Sequence, residues 1–165
     1  MKMGRWLILA LSMLLLLGAC SGEEEGSTEE NKPTNEEWST YSNSRFGFTV
    51  DYPAAWELGK ESDNGDGVQI THGDEVTVLA YASLFNEEMA PDLSQSEPTT
   101  LDNDRDANLF VTKDNNTTNL QVVFILDDRI QYNLDITAST AYYETNRDQV
   151  DRMIASLDFF EGTEG

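Results

Sequence analysis

Ile130-Gln131-Tyr132-Asn133-Leu134-Asp135-Ile136-Thr137 alternates without a break, and its reading decides the fold. Ile130, Tyr132, Leu134 and Ile136 fall on one face of a strand, and Gln131, Asn133, Asp135 and Thr137 on the other. A one-residue slip would exchange the two sets, so the pattern pins the register. Two apolar runs precede it, Ala107 to Lys113 and Leu120 to Leu126. Asp114 to Thr118 turns the first pair and Asp127-Asp128 the second, so the three runs read as an antiparallel meander.

Upstream, Val76 to Phe85 is a long strand with Val76, Val78, Ala80, Ala82 and Leu84 on one face. Leu79, Tyr81 and Phe85 lie opposite, which predicts a central strand or a helix packed on each side. Asn86 to Leu101 carries Pro91 and Pro98 among many polar residues and reads as a long loop with at most one helical turn. Before that strand, Val68 to Thr71 is predicted to return from a turn at Asp63-Asn64-Gly65-Asp66-Gly67, with Glu57 to Glu61 a short strand ahead of it. Phe48, Val50 and Tyr52 alternate in the strand Phe46 to Tyr52, ended by Pro53, and the domain opens at Trp38 to Tyr41. After the meander, Thr145 and Asp148 form a capping-box-like helix start. Val150, Met153, Ile154 and Leu157 then make one apolar stripe at helical spacing, and the stripe faces the core.

Two stretches resemble a known family. Phe46-Gly47-Phe48-Thr49-Val50-Asp51-Tyr52-Pro53-Ala54-Ala55-Trp56 is similar to the opening of the PsbP-like domain: an aromatic-Gly-Phe start, an alternating strand, then Pro and Trp. The closing strand followed by Val150-Asp151-Arg152-Met153-Ile154-Ala155-Ser156-Leu157 and Phe159 is similar too. The resemblance spans Trp38 to about Phe160. It implies an α+β fold, an antiparallel sheet with helices packed on its faces, including a C-terminal helix. It also implies a binding or assembly module and not an enzyme. No metal-site motif of the family aligns residue by residue, and no photosynthetic role is implied.

The N-terminus is a signal. Lys2 and Arg5 precede an apolar run from Trp6 to Leu17, broken only by Ser12. A run of that length reaches only about 20 Å, short of the ~30 Å hydrocarbon core, so it reads as a signal-peptide segment. Leu17-Gly18-Ala19-Cys20 matches a lipobox, and Cys20 is the only cysteine. The resemblance to bacterial lipoproteins implies that Leu17, Gly18 and Ala19 guide the signal peptidase and that the Cys20 thiol carries the lipid. Two acyl chains hold a protein stably where one does not. Ser21 to Glu37 has seven glutamates against Lys32 and no large apolar residue, so it reads as an extended acidic tether. The chain therefore divides into a signal peptide (1–19), a lipidated terminus and tether (20–37), an α+β domain (38–161) and a frayed tail (162–165).

With 10 Lys+Arg against 31 Asp+Glu, the 165-residue chain carries a formal net charge of −21. Removing Lys2 and Arg5 leaves 8 against 31. Nucleic acid is excluded as a partner, because phosphates require a basic surface. A polybasic hold on anionic lipid is excluded for the same reason. The acidity fits either a solvated surface suited to a salty exterior or cation binding. Its spread along the whole chain favours the former.

Catalytic signals are sparse. His72 is the only histidine, so a multi-histidine metal site cannot form, and a structural or solvated role is expected. Gly-x-Ser-x-Gly, His-Glu-x-x-His and a phosphate-binding Gly-rich loop do not occur. Two acidic turns fail as calcium loops by position. From Ser62 the first ligand is not acidic and the twelfth is Gly73; from Asp102 the turn glycine is Ala107 and the twelfth position is Lys113. Asp63, Asp66, Asp102, Asp104 and Asp106 stay as weak calcium candidates. The sequence reading is thus a membrane-anchored extracytoplasmic lipoprotein, held through Cys20, that needs no cofactor. It acts as a non-catalytic module for an envelope protein partner. A calcium-binding protein and an envelope hydrolase are the alternatives. The hydrolase would need converging carboxylates of separated pKa.

Overall fold

A computed structural model of the chain describes residues 36–160. The signal segment, Leu17 to Cys20, nearly all of the tether and the 162–165 tail lie outside the described residues. Ten strands and two helices follow in order: β1 (Trp38–Asn43), β2 (Phe48–Pro53), β3 (Glu57–Leu58), β4 (Gly67–His72), β5 (Val76–Leu84), β6 (Glu97–Thr100), β7 (Asp106–Lys113), β8 (Thr117–Leu126), β9 (Ile130–Ser139), α1 (Thr140–Thr145), α2 (Arg147–Ala155) and β10 (Asp158–Phe159).

Seven strands form one sheet in the order β3-β4-β5-β9-β8-β7-β6, and β1-β2-β10 form a second. Every pairing is antiparallel. The alternating strand that decided the reading, β9, sits at the centre of the large sheet and pairs with β5 and β8 along its length. Its Tyr132, Leu134, Ile136 and Ala138 are buried, as are Val76, Val78, Ala80 and Ala82 of β5. Phe48 and Val50 of β2 join them in one core, and α2 adds Val150, Met153 and Ile154, with Leu157 just beyond it. This is the α+β arrangement expected. Burial of two inner faces and a helix stripe is its main stabilising contribution.

Three details of the strands and loops differ from the sequence reading. Asn133 is buried instead of solvent-facing: Tyr81 and Val123 flank it in the ladder, and its amide is bonded by Gln131 Nε2 at 2.7 Å. The segment read as a long loop contains two short 3₁₀ turns, Glu87–Met89 and Leu93–Gln95, and the edge strand β6. Pro98 is tolerated there because an edge strand leaves one row of N–H groups unpaired. Leu84 is 76% exposed, since it lies at the last position of β5 and beyond the core.

The helix region also differs. It is split at Asn146 into α1 and α2. Ser139 caps α1 by accepting from Tyr142 N at 3.1 Å, while Thr145 donates back to Ala141 O at 3.0 Å. Thr145 therefore closes the first helix and does not cap the second. The same i−4 back-bond explains why a capping-box pattern there misleads.

Candidate functional site

Three hairpin ends meet at one end of the molecule. In the β6–β7–β8–β9 meander, the β6–β7 and β8–β9 turns lie at the same end and the β7–β8 turn at the other, as antiparallel pairing requires. Each of the two turns carries an arginine. Arg129 closes the β8–β9 turn, where its N–H donates to Leu126 O at 3.0 Å. Asp127 and Asp128 adopt φ of 50° and 52° in that turn, and aspartate is among the few residues that tolerate it. Arg105 immediately precedes β7 and returns a carbonyl to Leu101 N at 2.9 Å.

The third arginine comes from the small sheet. Arg45 lies in the β1–β2 turn, which closes through Gly47 N to Asn43 O at 3.0 Å with Gly47 at φ 65°. The buried Asn43 side chain holds this turn, accepting from Phe46 N and donating to Gly65 O and Tyr41 Oη. β10 then brings Phe159 opposite Phe48, and Phe160 N donates to Gly47 O at 2.8 Å.

The result is a cleft of about 470 Å³ whose lining includes Arg45, Arg105, Arg129, Phe46, Tyr132 and Phe159. Three of the five arginines that follow Cys20 line this one cleft. Its floor is an aromatic cluster: Phe159 stacks on Phe124 at 4.4 Å and meets Tyr132 at 4.6 Å between ring centroids. The Arg105 guanidinium sits 5.0 Å above the Phe159 ring and 5.8 Å from the Phe124 ring, and Arg45 lies 5.0 Å from Phe46. Such contacts orient a cation without neutralising it. Tyr132 Oη donates to Phe46 O at 3.0 Å. Burial raises the Tyr132 phenol above its usual range, and the nearby Arg105 charge partly offsets this.

Ion pairing distinguishes the three cations. Arg45 bonds Asp66 at 2.6 Å and also donates to Asn64 O. Among the described residues neither Arg105 nor Arg129 has a carboxylate within 4.0 Å. Sequence reasoning passed over these arginines. Their one visible signal was that each adjoins a predicted turn or the Phe46 motif.

The weak calcium candidates are not brought together. Asp63 faces solvent beside Lys60 at 2.9 Å, Asp66 is held by Arg45, and Asp106 accepts from Thr100 at 3.2 Å. Asp102 and Asp104 are exposed in the β6–β7 turn, with Asp104 at φ 61°. Among the described residues no three His, Cys, Asp or Glu side chains converge on a point where a metal ion would sit. His72 stacks on Trp56 at 5.7 Å and lies 5.5 Å from Tyr142, inside an aromatic cluster.

The outer face of the large sheet holds a second polar feature. Tyr81 Oη donates to Asp135 Oδ2 at 3.1 Å, while Asp135 Oδ1 is buried beside Gln121 with no well-formed hydrogen bond among the described residues. Burial pushes the Tyr81 hydroxyl up to about 12, helped by the Asp135 charge, and burial likewise raises Asp135. A more open depression of about 420 Å³ adjoins Tyr81, and the cation in its lining, Lys60, is already paired with Asp63.

Comparison with known proteins establishes the fold. Cyanobacterial PsbP from Synechocystis sp. PCC 6803 superposes with a TM-score of 0.56 at 14% identity, covering 87% of this chain and 99% of that one. A Bacteroides thetaiotaomicron protein gives a TM-score of 0.53 at 12% identity, covering 76% of this chain and 49% of that one. LpqN of Mycobacterium tuberculosis, described as involved in cell envelope biogenesis, gives a TM-score of 0.48 at 13% identity over 78% of this chain and 93% of that one. No family model matches the sequence, and no curated protein matches it. The fold is PsbP-like.

Proposed function

We propose that this chain is a membrane-anchored, extracytoplasmic lipoprotein whose single PsbP-like domain is a non-catalytic binding module, with the arginine–aromatic cleft as its binding site. The observation that carries the reading is the cleft itself. Its groups are those of recognition: a guanidinium is charged at every physiological pH and donates without giving up a proton, and an aromatic face offers contact area. The basic start, the apolar run and Leu17-Gly18-Ala19-Cys20 support the anchor. Among the described residues no helix is long and apolar enough to cross a membrane. The acidic tether from Ser21 to Glu37 would hold the domain away from an anionic surface.

Crosslinking in intact host cells, followed by purification and mass identification, tests this. The lipidated protein should yield one dominant neighbour or bound molecule, and the Cys20→Ala form should lose its membrane association. A wild-type pattern identical to that of an Arg105→Glu/Arg129→Glu variant would overturn the cleft as the site.

A further inference from the structure

We infer that the cleft takes a monoanionic amphiphile, one carboxylate or phosphodiester group carried on an apolar body; this rests on the binding-module reading and specifies its ligand. The charge count selects the ligand's sign and size of charge. Arg45, Arg105 and Arg129 face the cleft, Asp127 lines it too, and Asp66 neutralises Arg45. Among these lining groups and the one ion-pair partner, one positive charge is left over. At physiological salt, charges beyond about 8 Å are largely screened. Acids beyond that distance therefore repel an anion in the cleft only weakly.

The geometry selects how the anion is held. The Arg105 guanidinium lies over the Phe159 ring, with 5.0 Å between guanidinium carbon and ring centroid. With no carboxylate within 4.0 Å of it among the described residues, its N–H fork is not committed to one, and guanidinium pairs with carboxylate and phosphate through that fork. Arg129 has no carboxylate within 4.0 Å among the described residues, so its donors are not committed to one either.

The walls select the remainder of the ligand. Phe46, Leu126 and Ile130 present half-buried apolar surface and Phe160 stands 46% exposed in the lining, with the buried Tyr132 and Phe159 behind them. A bare inorganic ion would leave those surfaces wet, whereas an apolar body would cover them. A volume of about 470 Å³ falls in the range of roughly 300–1,000 Å³ typical of small-molecule sites.

Calorimetric titration of the chain from residue 20 onward, carrying Cys20→Ala, with decanoate below its micelle concentration tests the inference. Saturable binding at one site is expected, weakened about tenfold or more by Arg105→Gln and by Arg129→Gln. Arg147→Gln, on α2 and paired with Asp151, should leave it unchanged. Melting curves of each variant establish that all are folded. Inorganic phosphate and decylammonium should bind at least tenfold more weakly than decanoate, and equal binding of either overturns the inference. Phosphatidylglycerol vesicles, with phosphatidylcholine as control, identify the source. Binding with the same arginine dependence points to a membrane phosphodiester, and binding of decanoate alone points to a free carboxylate; each supports the inference. Failure to bind decanoate and phosphatidylglycerol alike overturns it. A crosslinked partner that still depends on Arg105 and Arg129 would then leave the binding-module reading standing.

Discussion

Truncating Phe159 to alanine should unfasten the cleft from below. Phe159 is 7% exposed, pairs with Phe48 across β10 and β2, stacks on Phe124 at 4.4 Å, and carries Arg105 at 5.0 Å. A buried Phe→Ala change costs about 3–5 kcal/mol. The low end applies, because the two-residue β10 can relax towards the space left behind. Near 60 °C, unfolding entropy is about 2.1 cal/mol/K per residue, or about 0.26 kcal/mol/K for the roughly 125 described residues. A loss of about 3 kcal/mol therefore lowers Tm by about 12 °C. Thermal melts followed by circular dichroism read this directly. Pairing the change with Phe124→Ala should show a coupling of about 0.5–1.5 kcal/mol for the ring stack. A drop under about 3 °C, with no coupling, would mean that Phe159 does not dock and that the floor of the cleft is not built as described.

The remaining predictions are independent of that stack. Asp135 has its carboxyl raised by burial, so the stability its protonated form supplies is present below the ordinary carboxylate pKa and is lost as pH rises through the raised value. Asp135→Asn should therefore raise Tm at pH 7 and give a shrinking gain towards pH 3; a gain that grows on acidification would refute the sign. Gly67→Ala should cost about 1–3 kcal/mol in a urea melt, because a Cβ there would sit 2.1 Å from Ala80 O and 2.5 Å from Tyr81 Cβ; a neutral result would contradict the β4–β5 register. Cys20→Ala should move the protein from the membrane fraction to the soluble fraction, read by fractionation and blotting, and persistence at the membrane would refute lipid anchoring.

The fold was largely legible because period-two alternation and turn chemistry are local. Ile130 to Thr137, the Asp127-Asp128 turn and the Val150–Leu157 stripe each speak through spacing within a dozen residues, and each lies where expected. What local reading missed depended on neighbours far away in sequence. Asn133 is buried only because Tyr81 and Val123 flank it. β6 exists only because β7 offers it an edge, and the split at Asn146 follows from Ser139 capping a helix that starts directly out of β9. The cleft is the extreme case. Arg45, Arg105 and Arg129 are up to 84 residues apart by position and meet only because sheet topology puts three turns at one end. The acidic turns drew attention as cation sites by composition. In the fold, Asp66 serves instead as the partner of Arg45, one of the cations that line the cleft.

The central claim is that this molecule binds through the arginine–aromatic cleft. It is tested most directly by placing a photocrosslinking amino acid at Phe160 in the cleft lining and, separately, at Met89, which is 81% exposed and is not among the cleft's lining residues. Intact mass after irradiation in host cells reads any adduct, large or small. The account predicts one discrete adduct from Phe160 and none from Met89. Adducts from Met89 with none from Phe160 would contradict it.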